Sequence, residues 1–162
     1  MNFYPILKPL LFQLDAEKAH HLTISALKNP ILNQFAKSKK IEHSILNKTL
    51  FGLNFPNPVG LAAGLDKNAE VTDAFAEMGF GFIEIGTITP KPQEGNPKPR
   101  LFRLKEDKAL INRMGFNNVG ALQAVKNLAK RKSNIIIGGN IGKNKTTSNE
   151  DAAQDYKICF KT

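Results

Sequence analysis

Apolar positions follow two different rhythms along this chain. Up to about residue 40 they recur at helical spacing; beyond it they gather into short runs separated by glycine, proline and polar residues. Ile6, Leu7, Leu10, Leu11 and Leu14 fall on one stripe, which predicts a first helix with Pro5 in its opening turn and Pro9 as a point of kinking. Asp15 is placed to cap a second helix, with Glu17 in the first turn and Ala19, Leu22, Ala26 and Leu27 on a common face. Asn29-Pro30 is expected to stop it, and a linker bearing Lys37, Lys39 and Lys40 follows. The pattern divides the chain into a helical segment, residues 1–40, and a second part, residues 41–162.

In the second part, TLFGLNF predicts a short hairpin and PVGLAAG a buried strand. Ala69–Met78 reads as a helix with Val71, Ala74, Phe75 and Met78 on one face, and GFIEIGTIT as the next strand. A long Pro/Lys/Gly connection, Pro90–Arg100, leads to RLFRL and ALINRM, which can pair. Val119–Lys132 is expected to be a helix, NIIIGGNIG a strand, and Asn149 the cap of a last helix from Glu150. Strands alternating with helices imply a parallel sheet with right-handed crossovers. A parallel barrel and an open doubly wound sheet both satisfy this order. GLAAG, FIEIG and IIIGG are expected to be apolar on both faces, as in a sheet covered on both sides. Each run ends in small or polar residues: Ala63-Gly64 before Lys67, Gly86-Thr87, and Asn140. Either architecture builds its site at those strand ends.

Charge sharpens the division. The formal net charge is +9, and counting by thirds puts +4 on residues 1–48, zero on 49–121 and +5 on 122–162. The glycine-rich middle is neutral. A basic protein can meet an anionic membrane, a phosphorylated ligand or nucleic acid. Nucleic acid ranks last, because the aromatics are mostly Phe, Trp is absent, and no nucleic-acid module pattern occurs. Scattered solvated lysine also accounts for the excess. The single cysteine, Cys159, excludes an internal disulfide and reads as a packed residue at helical spacing. No stretch approaches the roughly 20 apolar residues of a membrane span. An Arg-rich presequence is not expected, since the first arginine is Arg100.

A strand ending in Ala-Ala-Gly lets a flat ligand approach, and Lys67 just beyond can reach over it as a point charge toward an anion. The same spacing also fits a tight turn with a solvated lysine. NRMGFNN, residues 112–118, crowds carboxamides around Met-Gly-Phe and suits the amide edge of a heterocycle, though it also reads as a turn of loop formers. GGNIGKNK, residues 138–145, is similar to a phosphate nest but lacks the P-loop spacing. His20, His21 and His43 show no metal-ligand spacing with Cys159, so no metal is expected.

Taken together, NPVGLAAGLDKNAE, GFGFIEIGTITPKPQEGNPKPRLFRL, LINRMGFNN and NIGKNK resemble, in order and separation, the quinone-dependent (class 2) dihydroorotate dehydrogenases. LFQLDAEKAHHLT matches that family's start, so the likeness spans essentially the whole chain. The resemblance implies a (β/α)₈ TIM-barrel enzyme of pyrimidine biosynthesis that uses FMN. Dihydroorotate would lose a proton from C5 to a side-chain base and a hydride from C6 to the flavin, and a membrane quinone would reoxidise the flavin. It implies cofactor contacts at Ala63, Gly64, Leu65, Asp66, Lys67, Thr87 and Asn140. Substrate contacts fall on Lys67 again, with Asn112, Arg113, Met114, Gly115 and Phe116. His20 and Arg103 would line the quinone passage between the N-terminal helices and the flavin. A peripheral place on the cytoplasmic face of the membrane, a monomeric complete enzyme and no nucleic-acid partner are further implications.

One departure matters. A complete barrel of this type needs roughly 250 residues. The family's catalytic serine lies beyond the fourth strand and its flavin-phosphate grip in the last loops. None of Ser25, Ser38, Ser44, Ser133 or Ser148 stands in a matching context. The chain is therefore expected to be the N-terminal half of such an enzyme, with the serine base beyond Thr162. Alone, it is expected neither to retain FMN nor to oxidise dihydroorotate. The alternative is an inactive fragment or half-barrel assembly unit.

Overall fold

The computed structural model describes residues 4–41 and 43–162. Expectations that touch residues 1–3 and position 42 lie outside the described residues.

Helix α1 spans Tyr4–Gln13 with Pro9 inside it, and α2 spans Ala16–Lys28. The Asp15 carboxylate accepts from the amides of Glu17 at 2.9 Å and Lys18 at 3.1 Å, which fixes where α2 begins. The buried face differs from the expected one. Leu22 is exposed, whereas Glu17, Ala19, Ile24 and Leu27 are buried. Asn29-Pro30 is a junction rather than a stop. Asn29 closes α2 and its side chain then caps α3, Pro30–Asn33, where proline suits a first helical position because it needs no amide partner. A 3₁₀ turn, Gln34–Ala36, follows where the sequence suggested only linker.

Strands β1 (Lys48–Leu50) and β2 (Leu53–Phe55) form the expected hairpin. The parallel sheet contains β3 (Gly60–Leu61), β4 (Phe82–Ile88) and β7 (Ile136–Ile141), in the order β3-β4-β7. Strands β5 (Leu101–Leu104) and β6 (Ala109–Asn112) pair antiparallel as an insertion between β4 and the next crossover. The helices of the crossovers are α4 (Thr72–Glu77) and α5 (Ala121–Leu128), and α6 (Ala152–Lys161) follows β7.

Each element is shorter than its apolar run suggested, for local reasons. Helix α4 cannot begin at Ala69, whose φ of +56° is left-handed. Instead the Asp66 carboxylate, 1% exposed, accepts from the amides of Glu70 and Val71 and sets up the entry to the helix. Helix α5 starts after Gly120 and gives way beyond Ala129 to a turn held by Asp73, which accepts from the amides of Lys132 and Ser133. Asn149 does not cap α6. That helix starts at Ala152, and Ser148 and Asp151 bond each other before it.

The core lies on one face of β4. Ile83 and Ile85 meet Val71, Ala74 and Phe75 around α4, and Ile24 and Leu27 of α2 join them, so α2 and the sheet share a core. Ile88 packs with Ala121 and Ala124 of α5, and Cys159 lies against them as a packed residue. The other face of β4 carries Phe82, Glu84 and Thr87, all half-buried, which corrects the expectation of a sheet apolar on both sides. Across that face Asn140 donates to Glu84 at 2.9 Å.

Candidate functional site

The chain bends away from the sheet after Leu61, and β4 ends at Ile88; the two strand ends open onto a cleft of about 430 Å³. Ala63, Gly64 and Lys67 line it from the β3 end and Thr87 from the β4 end. The end of β6 contributes Asn112, and the turn after it Arg113, Met114, Gly115 and Phe116. Three segments far apart in sequence thus meet in one place, bringing together nine of the fourteen site residues expected from the sequence. A side chain built at Gly64 would meet nothing within 4 Å, so the cleft is bare there, and its φ of +114° demands glycine.

The cleft's cation is held from beneath. Lys67 Nζ donates to the Gly64 carbonyl at 2.7 Å and lies 3.7 Å from Met114 Sδ. Burial pushes the Lys67 pKa down, the nearby Arg100 adds to the fall, and Glu17 opposes it. His20, half-buried on α2, is pushed down by burial and then by the charge of Lys67. Thr87 Oγ1 donates to Asn140 Oδ1 at 2.6 Å, so Asn140 reaches the cleft through Thr87 while its amide holds Glu84. Gly86 must lack a side chain because a Cβ would strike the Asn140 carbonyl.

Other expected residues stand apart. Leu65 and Asp66 do not line the cleft. Both Asp66 oxygens are taken by backbone amides, and burial pushes its carboxyl up; it builds the loop that carries Lys67. Asn112 Oδ1 accepts from the Met114 amide at 3.0 Å, which shapes the turn and leaves the Nδ2 end for other partners. Arg103 Nη1 donates to the Leu14 carbonyl at 2.5 Å, and its guanidinium lies 4.7 Å from the centre of the Phe12 ring, at the joint of α1 and α2. The nest-like stretch at residues 138–145 is filled from within. The amides of Gly142, Asn144 and Lys145 donate to Ile88 O, Asp155 Oδ2 and Gln93 Oε1, and Lys143 Nζ donates to Thr147 O.

Asn96 also lines the cleft and was not anticipated. Its amide donates to Met114 O and its Nδ2 to Arg113 O, both at 2.8 Å, so it braces the 112–116 turn. The Gly95-Asn96-Pro97 sequence inside the long connection was the available signal: a φ of +82° at Gly95 turns the chain back onto Met114.

A family profile described as dihydroorotate dehydrogenase matches residues 45–162. The chain belongs to that family. Among curated relatives, the dihydroorotate dehydrogenase (quinone) of Shewanella denitrificans is 54% identical over 159 residues, covering 97% of this chain and 46% of that protein. The Acinetobacter baylyi protein of the same name is 55% identical, again with 97% of this chain and 46% of the relative covered. Among solved structures, the DHODH of Eimeria tenella in complex with ferulenol superposes with a TM-score of 0.77 at 44% identity, covering 88% of this chain and 39% of that one. The ligand-free form gives 0.79 at 42% identity, with coverage of 91% and 42%. The α/β fold with its N-terminal helices is therefore part of the TIM-barrel fold of dihydroorotate dehydrogenases. The chain spans about half the length of the curated relatives it matches.

Proposed function

We propose that this chain supplies the front half of a quinone-dependent dihydroorotate dehydrogenase, which oxidises dihydroorotate to orotate with FMN in pyrimidine biosynthesis. The observation that carries the reading is the cleft itself, where a bare floor, one half-buried cation and a carboxamide-rich turn converge. The residues fit a flavin: Ala63 and Gly64 leave room for a flat ring, and the Thr87–Asn140 pair offers polar edges beside it. When bound, FMN would supply the hydride acceptor. Lys67 would hold the substrate carboxylate by a charge-assisted bond, in a site shielded enough from water to strengthen it. Asn112 and the backbone of residues 113–116 would orient the ring. The described lining residues include no Ser, Cys, His or carboxylate, so the base that takes the C5 proton is proposed to come from the rest of the barrel.

Helices α1 and α2 would form the quinone entrance, with His20 on α2 and Arg103 at the helix joint. Ile6, Leu7 and Leu10 are exposed on α1, which suits a peripheral seat on the cytoplasmic face of a membrane. No helix among the described residues is long and apolar enough to cross one. The complete enzyme is proposed to be a monomer.

A second reading, that the 162-residue chain alone is an inactive unit awaiting a partner half, draws on the sheet. Among the described residues β3 and β7 each pair on one side only, and three strands cannot close an eight-stranded barrel. The purified chain would then be colourless and would associate through its edges, whereas a yellow monomer would refute this second reading.

Lys67→Ala in the full-length enzyme tests the main reading. Losing a charge-assisted bond worth about 1.5–3 kcal/mol should slow flavin reduction by dihydroorotate about tenfold or more. An unchanged rate and an unchanged orotate affinity would make Lys67 a mere loop residue and remove the central support.

A further inference from the structure

Glu17 and Arg100 are charged residues almost wholly withdrawn from water, with side chains 5% and 7% exposed. Charges are rarely buried unless paired, and even a paired burial recovers its desolvation cost only with complete hydrogen bonding. Stability alone is thus a poor account of this pair, and what it connects is more informative. Arg100 Nη2 donates to Glu17 Oε1 at 2.7 Å, and Nε to both carboxylate oxygens at 3.1 and 3.2 Å. The opposite edge of the same guanidinium, Nη1, donates to the carbonyls of Glu94 at 2.6 Å and Asn96 at 2.9 Å. Arg100's own carbonyl accepts from the Arg113 amide at 2.9 Å.

One rigid planar group therefore joins helix α2 to the 94–96 loop and, through its backbone, to the 112–116 turn. Asn96 passes the connection on, since it is bonded to Arg113 and Met114 and lines the cleft. Met114 in turn touches the Lys67 ammonium.

We propose that Glu17 and Arg100 are a positioning pair: α2, acting through Arg100, holds the Asn96 and Asn112–Phe116 wall of the cleft in its ligand-ready arrangement. Neither residue touches the cleft itself. Lys98 at 3.3 Å and His21 at 3.5 Å from Glu17 Oε1 complete the charged surroundings of the carboxylate. Lys67 responds to both members of the pair in opposite directions, which supports an electrostatic as well as a mechanical connection. Insofar as the wall binds orotate, this inference rests on the function proposed above; the connection itself does not.

Arg100→Lys in the full-length enzyme isolates the idea. Lysine keeps the charge opposite Glu17, but a single nitrogen cannot grip the carboxylate and the two loop carbonyls together. Amide hydrogen exchange should accelerate about tenfold in residues 93–96 and 112–116, the loss of one charged hydrogen bond, while β4 and β7 keep their protection. Orotate affinity, read from the flavin spectrum, should fall by a similar factor with FMN content retained. Unchanged exchange in both loops, or a uniform loss that includes β4 and β7, would overturn the proposal by making the pair neutral or merely structural. If Arg100→Lys does not fold, Glu17→Gln, which keeps shape and one acceptor, is read with the exchange of β4 and β7 as the measure of global loss: a larger acceleration in the two loops supports the proposal, and an equal one overturns it. If the unmodified enzyme does not bind orotate, the functional reading fails, and the exchange data still decide the positioning role.

Discussion

Strand β4 and helix α1 are both rich in large aliphatic residues, yet Ile83, Ile85 and Ile88 are 0–5% exposed while Ile6, Leu7 and Leu10 are 49–69% exposed. Full burial of such a side chain contributes roughly 1.5–3 kcal/mol. Strand β4 realises that gain inside the chain, against α2, α4 and α5. Helix α1 leaves it unrealised at these positions, and Arg103 of the hairpin insertion reaches it through the Leu11 carbonyl and the Phe12 ring, and the Leu14 carbonyl just beyond it. The lesson is that one kind of pattern serves two purposes. In β4 the apolar residues hold the site's strand ends in place; in α1 they are available to something else.

The contrast breaks most easily at Ile83, which is 0% exposed. Ile83→Ala removes buried methyl groups and leaves a cavity, at a cost of about 2–5 kcal/mol. The urea midpoint of the full-length protein should drop accordingly. Leu10→Ala, at an exposed position, should stay within about 0.5 kcal/mol of the parent. Similar losses at both sites would mean that α1 is as firmly docked as the sheet.

Helix α2 lies on the buried side of the comparison, and Glu17 makes that measurable by pH. Its bonds from Arg100 hold the carboxyl at about 2, against an ordinary 4.5. A carboxyl whose folded pKa is depressed stabilises the fold above its unfolded pKa, and that contribution fades as pH falls from about 4.5 toward 2. The shift corresponds to about 3 kcal/mol. Relative to Glu17→Gln, the parent should therefore be more stable at pH 7, with the gap closing below pH 4. A gap independent of pH would show that the charge contributes nothing beyond shape.

Much of this arrangement was legible in the sequence, because the relevant signals are local. Asp15 announced α2 by the short reach of its carboxylate to the next amides, and the order of strands and helices announced a parallel sheet. The cleft was legible in part because Ala63-Gly64 and Thr87 lie at the ends of parallel strands, where this topology gathers residues, whereas Asn112–Phe116 stood out by its crowded carboxamides and arrives from the antiparallel insertion. What was missed depends on contacts across the chain. Glu17 looked like an ordinary first-turn acid, and nothing near it in sequence points to Arg100, 83 residues away. Leu22 looked like a core residue because periodicity gives the width of an apolar face but not which edge of it meets the sheet. The early end of β3 and late start of α4 reflect the buried Asp66 carboxylate, which draws the chain into a loop where the apolar run alone suggested continuous structure.

The smallest expected effect on stability is the sharpest test of what α1 is for. Leu7→Ser and Leu10→Ser together replace two exposed apolar side chains, 49% and 58% accessible, on a helix that also carries Lys8. Their loss should change the folded protein's urea midpoint by only a few tenths of a kcal/mol each, because little burial is forfeited. At a membrane surface the same positions would be buried in the headgroup and acyl boundary, and each serine would then forfeit much of a leucine's roughly 1.5–3 kcal/mol. Binding to vesicles containing anionic lipid should fall by about tenfold or more for the pair. On the function proposed above, reduction of a membrane-embedded quinone should fall with it, while flavin reduction by dihydroorotate, assigned there to the cleft beyond β3 and β4, should remain. Equal loss of both half-reactions would place α1 in the service of the cleft and dissolve the distinction between the two regions. Unchanged vesicle binding would leave the exposed stripe without a lipid partner, and a protein partner would become the better reading.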